Sequence, residues 1–293
     1  MKLAAFGAGA LGAVRDGHIV ALQADSDPAG PPPTMASVIE AGPVGLWRAE
    51  ALARASQYRF DLSGVRLRAP LDRPGKIIAA PVNYSRHMSE MSETLDINDL
   101  GVFLKANSSV CGPGDVVRLP YADRRFDQEG ELGVVIGRQA RGIAEADALD
   151  AVFGYTCLLD ITMRGGEDRS LRKSFDTFTP IGPWIVTADE VGNPDSLALT
   201  CSVSGRVRQE GNTRSLIWPV AKLVAYTSSV MTLYPGDVIA TGTPEGVGPL
   251  ADGDSIELTI EKIGTLSVRV SAAGATACPT AGAGRGPVPP PPR

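Results

Sequence analysis

Histidine is almost absent: His18 and His87 are the only two in 293 residues. A zinc centre built on several imidazoles is thereby excluded, and any metal must be held mainly by oxygen, which points to a hard cation. Cysteine is scarce as well. Cys111, Cys157, Cys201 and Cys278 stand far apart, without the paired spacing of a zinc knuckle or a redox motif, and fit a reducing cytoplasm. No Lys/Arg-rich run relieves a formal net charge of −5, so the electrostatic footprint that phosphate backbones demand is missing and nucleic acid is not an expected partner. No apolar run is long enough to span a bilayer, so no membrane partner is expected either. The opening MKLAAFGAGALGAV superficially resembles a signal peptide, but its interrupting glycines and the following Arg15-Asp16 weaken that reading, and the run reads equally well as a strand entering a turn. These absences leave a soluble, cytoplasmic chain.

What is present suffices for a full core: hydrophobic residues make up 43% and charged residues 21%, close to globular averages, and the length permits one large domain with a small one. Apolar stretches at 1–6 and 19–22 flank the hairpin signal Asp16-Gly17, residues 25–33 read as a loop, and 34–56 carry helical composition broken at Gly42-Pro43. This predicts a small α/β domain over residues 1–70. Punctuation at Ala69-Pro70 and Arg73-Pro74-Gly75 then opens a main domain over 75–271, starting with the apolar run 76–82. Strand-like runs follow at 102–104, 116–119, 131–136, 155–161, 184–186, 199–203, 238–241, 256–260 and 266–270, with few helices. Such spacing predicts a β-rich mixed α/β domain, not alternating βα units. The Ala/Gly/Pro-rich residues 272–293 predict a disordered tail.

Gly7, Gly9 and Gly12 satisfy G-x-G-x-x-G after an apolar strand, with Asp25 somewhat closer than a ribose-binding acid should be. An NAD(P)-binding reductase is thus a remote alternative. The fingerprint needs a helix opening at its third glycine, yet Asp16-Gly17 interrupts about one turn later and Pro28 follows. A Gly-rich hairpin is the preferred reading.

Three acids sit in apolar, strand-like sequence: Glu129 and Glu131 in FDQEGELGVVIG, and Asp160 in GYTCLLDITMR. On an extended strand, positions i and i+2 share a face, so Glu129 and Glu131 project side by side, and Gly130 between them permits close backbone approach. Burying such carboxylates costs several kcal/mol unless a cation or hydrogen bonds compensate. A metal site and a solvated strand edge with Glu-Arg or Glu-Lys pairs both fit this pattern. In NYSRHMSE, His87 and Glu90 stand at i and i+3 on one face of a helical turn, where the carboxylate can hold one ring nitrogen and leave the other to take a proton from water. A surface turn with a solvated imidazole is the competing reading. Arg169, Arg172 and Lys173 form a cationic stretch that could meet an anionic substrate or simply face solvent. TGTPEGVG, residues 241–248, has the turn chemistry that exposes hydroxyls and backbone N–H groups.

Taken in order, the blocks KIIAAPVNYSRHMSE, GVFLKANSSVCGPGD, FDQEGELGVVIG, GYTCLLDIT with KSFDTFTPIGPW, and YPGDVIATGTPEGVGPL with GDSIELTIEKIG resemble the fumarylacetoacetate hydrolase family, its bacterial members above all. The resemblance implies a β-sandwich roll catalytic domain and Mg²⁺ or Mn²⁺ held by Glu129, Glu131 and Asp160. It implies a catalytic set of His87, Glu90 and Lys173, and substrate contacts from Tyr84, Arg164 and Thr243. The implied activity is hydrolytic C–C cleavage of a small β-diketo or 2-oxo acid, such as an acylpyruvate, in aromatic or keto-acid catabolism. Isomerisation or decarboxylation on the same metal site is the alternative, and a homodimer is the implied assembly. Two departures stand out: Ala80-Pro81-Val82 precede Asn83-Tyr84 where Gly-Leu is more usual, and Glu167 occupies a place where many relatives carry Gln.

Overall fold

The computed structural model describes residues 1–23 and 32–282. Its centre is an eleven-stranded sheet ordered Arg59–Asp61, His18–Ala21, Ala10–Arg15, Lys2–Phe6, Thr179–Thr187, Val152–Leu159, Gly130–Ile136, Val238–Ala240, Ile77–Ala79 and Phe103–Lys105, with Val110–Cys111 pairing to Thr179–Thr187. The two middle strands, GELGVVI and VFGYTCLL, are buried at every position. Near-continuous apolar sequence of this kind suits a strand covered on both faces.

Two layers supply the cover. On one face, a five-stranded sheet ordered Arg206–Asn212, Ala198–Val203, Ser255–Ile260, Gly264–Ser271 and Val116–Arg118 sets Leu199, Ile256, Leu258 and Leu266 against Leu132, Val134 and Ile136. On the other, helices Met35–Glu40 and Gly42–Ala55 place Met35, Ile39, Ala49 and Ala53 in a cluster with Val135, Leu158 and Ile185. A third sheet of three short strands is ordered Thr162–Met163, Phe126–Gln128 and Gly248–Pro249, and its middle strand leads directly into Glu129. The architecture is the strand-rich, mixed α/β type expected, and its sheets are open.

The hairpin reading of the N-terminal glycines holds. Gly7 and Gly9 take positive φ in the turn, Gly12 lies within the second strand opposite Ala4, and that strand continues into a third strand instead of a helix. A dinucleotide fingerprint therefore lacks its helix, while Asp25 lies outside the described residues. The first strand pairs with the main-domain strand Thr179–Thr187 through Lys2↔Val186 and Leu3↔Ile185, so the sheet runs unbroken across the expected boundary at residue 70.

Three segments differ from expectation. Helix Val220–Val230 differs because VAKLVAYTSSV is rich in β-branched residues; burial of Val220, Val224 and Thr227 together with Leu223 outweighs the modest helix propensity of the β-branched three. Strand Arg206–Asn212 was missed because it is largely polar and only Gln209 is fully buried. Residues 272–282, expected to be disordered, instead follow a defined path. Thr276 bridges to Tyr121, the Cys278 N–H donates to Asp123 Oδ1 at 2.8 Å, and the Gly166 N–H donates to the Gly282 carbonyl at 3.2 Å. Polar bonds rather than apolar burial hold this stretch, which composition does not register; residues 283–293 lie outside the described residues.

Candidate active site

The antiparallel register of the two middle strands brings the acids together. Gly130 faces Leu159, which sets Glu129 opposite Asp160, and the Asp160 N–H donates to the Glu129 carbonyl at 2.8 Å. Glu131 follows two residues on. Oxygens of Glu129, Glu131 and Asp160 lie within 4.8 Å of one another, and all three residues are buried. The solvated-edge reading is thereby removed. Gly130 has the close approach inferred for it: a Cβ there would meet Leu258, Cys201 and Gln209 of the facing sheet within 3.3 Å.

Three cations surround the acids. Lys173 Nζ donates to Glu129 Oε2 and Asp160 Oδ2, both at 2.6 Å, and Lys105 Nζ reaches Asp160 Oδ1 at 2.5 Å. Arg164 gives Nη2 to Glu129 Oε1 at 2.8 Å and Nε to Asp127 Oδ2 at 2.7 Å. Glu131 has a different environment: the hydrogen bond described for it comes from the Gly242 N–H at 2.8 Å, and no lysine or arginine among the described residues is paired to it. The electrostatic consequences diverge. Burial raises the Glu129 carboxyl, but Lys173 and Arg164 outweigh it and hold this acid far below the usual carboxylate range. Burial and the neighbouring Asp160 charge push the Glu131 carboxyl well up, and Lys173 offsets only part. Three buried oxygen donors, one of them without a cationic partner, form a set that fits a hard divalent cation.

The segment 241–248 ties this centre to the histidine. Gly242, at φ +95°, would clash with Asn83 if it bore a side chain, and its N–H is the one bonded to Glu131. Four residues on, the Gly246 N–H donates to Glu90 Oε1 at 2.9 Å, while Glu90 Oε2 meets His87 Nδ1 at 3.0 Å. With Nδ1 as the donor, Nε2 keeps a lone pair and can accept a proton. His87 projects from helix Ser85–Glu90, whose entry is fixed by buried Asn83 through bonds to the Trp218 and Thr241 carbonyls and from the Trp218 N–H. His87, Glu129, Glu131, Arg164, Lys173 and Thr243 line one cavity.

A family model described as fumarylacetoacetate hydrolase C-terminal matches residues 76–271. The chain belongs to the fumarylacetoacetate hydrolase family. It is 47% identical over 236 residues to maleylpyruvate hydrolase of Aquipseudomonas alcaligenes, covering 77% of this chain and 82% of that one. A crystal structure of maleylpyruvate hydrolase from Sphingobium sp. SYK-6, in complex with manganese(II) and pyruvate, matches with a TM-score of 0.81 at 42% identity, covering 93% of this chain and 99% of that one. The mitochondrial oxaloacetate tautomerase Fahd2a of Rattus norvegicus is 36% identical over 251 residues, 82% of this chain and 80% of that one. Hydrolases and a tautomerase thus share the family scaffold.

Within this family member, the remaining site residues divide. Thr243 is held with its hydroxyl donating to the Gly130 carbonyl at 2.9 Å and accepting from Gln209 Nε2 at 2.7 Å. Tyr84 is buried at the entry to the His87 helix but lies outside the cavity lining, and burial with the Glu131 charge raises its phenol. Glu167 does not face the cavity either: Arg124 binds it through two nitrogens at 2.8 and 2.7 Å, and Thr280 donates to it at 2.5 Å. Lys105 was not singled out from the sequence, because a single lysine in FLKAN carries no signal until the fold buries it beside Asp160. Asn83 and Gln209 were missed for the same reason.

Proposed function

We propose that this chain is a divalent-cation-dependent hydrolase that cleaves a C–C bond of an acylpyruvate or a related β-diketo acid. The observation that carries this reading is the one cavity lined by Glu129 and Glu131, which cluster with buried Asp160, and by His87, which Glu90 holds, in a fold whose relative binds manganese(II) and pyruvate. Glu129, Glu131 and Asp160 would hold Mg²⁺ or Mn²⁺, which when bound neutralises the triad and stabilises negative charge on oxo-acid oxygens.

The chain's own residues account for the proton movements. Glu90 orients the imidazole, and His87 Nε2 accepts a proton from water as the water oxygen bonds to the acyl carbonyl carbon. The Lys173 ammonium offsets charge on the resulting oxyanion. As that oxyanion collapses, the C–C bond to the pyruvate unit breaks with its electron pair leaving on the pyruvate carbon, and the proton from His87 returns there. The products are a carboxylic acid and pyruvate.

A second reading, isomerisation or decarboxylation of a 2-hydroxydienoate or oxo-dicarboxylate, is favoured by the likeness to an oxaloacetate tautomerase and uses the same residues without the attacking water. Incubation of metal-loaded and chelator-treated protein with a panel of acylpyruvates and oxo-dicarboxylates decides. The hydrolase reading expects metal-dependent pyruvate release; intact acylpyruvates alongside tautomerised or decarboxylated oxo-dicarboxylates overturn it.

No helix among the described residues is long and apolar enough to cross a membrane. The four free cysteines, three of them buried, support a cytoplasmic location. The prevalence of two-fold assembly among soluble enzymes supports a homodimer, and sedimentation at several concentrations tests it.

A further inference from the structure

Most cations around the cavity are matched. Lys173 bridges Glu129 and Asp160, Lys105 is bonded to Asp160, and Arg164 is shared by Asp127 and Glu129. Arg172 is less well matched than any of these. It lines the same cavity and is 8% exposed, yet the one hydrogen bond described for its side chain is a long one, from Nη1 to the Met163 carbonyl at 3.4 Å, and its buried Nε has no acceptor among the described residues. Glu129 and Asp160 act on it electrostatically without touching it, while Arg164 and Arg169 repel it. A buried guanidinium left with donors to spare is costly, and the group that answers its planar fork is a carboxylate.

Arg169 strengthens the case. Both arginines belong to the single-turn helix Arg169–Arg172, where positions i and i+3 project on one face. Arg169 also lines the cavity, and its nearest carboxylate, Glu93, stays 3.8 Å away. Two adjacent, weakly matched arginines therefore face a cavity in which Glu129 is already paired to Arg164 and Lys173, and in which Glu131 makes no ion pair with either arginine among the described residues.

We propose that Arg172, supported by Arg169, binds a second carboxylate at the tail of the substrate, so that the enzyme selects oxo-acids with two carboxylate ends over analogues with neutral tails. This rests on the reading that the oxo-acid head sits at the Glu129–Glu131–Asp160 centre, and it adds the chemistry of the other end.

The test is calorimetric titration of the Mn²⁺-loaded protein with 2-oxoadipate and with 2-oxohexanoate, which has a neutral tail of the same length. Wild type should bind the diacid on the order of tenfold or more tightly, as a charge-assisted bidentate contact requires. Arg172→Met should erase most of that preference while changing affinity for the monoacid by less than about threefold, and Arg169→Met should reduce it less. Arg172→Gln, which keeps polarity but no charge, gives the same answer should the methionine variant fail to fold. No preference in wild type, no binding of the diacid, or equal weakening of both probes by the Arg172 variants overturns the proposal; the last result would place Arg172 at the head of the substrate. A preference that vanishes with Arg172, in a protein that releases pyruvate from no acylpyruvate, sinks the hydrolase reading and leaves the carboxylate subsite standing.

Discussion

Strand Ser255–Ile260 of the outer sheet and strand Gly130–Ile136 of the central sheet lie in one sandwich but obey different rules. The outer strand alternates buried and exposed at every step, and its charged residue, Glu257, points to water. The inner strand is buried throughout, yet it carries Glu131 and is preceded by Glu129. Solvation alone accounts for where the outer charge sits. Nothing about folding accounts for the inner ones, since apolar residues of similar volume would be as stable or more so. Departure from the rules of stability, in a strand otherwise faithful to them, is the mark of the site.

The largest test of that contrast is Glu131→Gln. On the proposed function Glu131 is a metal ligand, and its loss forfeits several kcal/mol of transition-state stabilisation, so turnover should fall on the order of 10³-fold or more. The melting temperature in chelator should stay level or rise, because a buried carboxyl crowded by Asp160 has been neutralised. A variant that keeps its turnover but melts early would make the inner acids structural.

His87→Ala should cost on the order of 10²- to 10⁴-fold in hydrolysis, the usual range for a positioned general base, with metal affinity by calorimetry unchanged. Weakened metal binding in this variant would blur the division between the triad and the dyad. The outer strand should behave in the opposite sense. Ile256, fully buried against the central sheet, should lose about 2–5 kcal/mol of unfolding free energy on substitution by alanine, while kcat per folded molecule is unaffected.

The same contrast governs what the sequence revealed. Period-two strands such as Ser255–Ile260 were legible because alternation is a local property, and the three acids were legible because they interrupt apolar runs. His87 stood out through the rarity of its kind. Lys105 and Asn83 did not, since their roles arise from register and burial, which the order of residues does not display. Arg172 was noticed only as part of a cationic stretch equally suited to solvent; its burial with an unanswered Nε is a property of the fold. Helix Val220–Val230 and residues 272–282 were misread because tertiary packing and scattered polar bonds outweighed local composition.

The smallest expected effect lies between the two regimes, at Glu167 on the loop leading away from Arg164. Hydrogen bonds from Arg124 hold its carboxyl down to about 2, against an ordinary value near 4.5, although the group sits close to the surface. A carboxyl with a lowered folded value contributes stability that is fully present above the unfolded value and is lost as pH falls through the folded one. Wild type should therefore melt somewhat above Glu167→Gln at neutral pH, and the gap should close as pH drops from about 4.5 towards 2. Solvent screening keeps this gap small beside the loss at Ile256. Melting curves taken at steps across that window measure it. A gap that is independent of pH would mean that the shape of the Arg124–Glu167–Thr280 contact stabilises the loop, not its charge, and Glu167 would then belong with the outer sheet's packing.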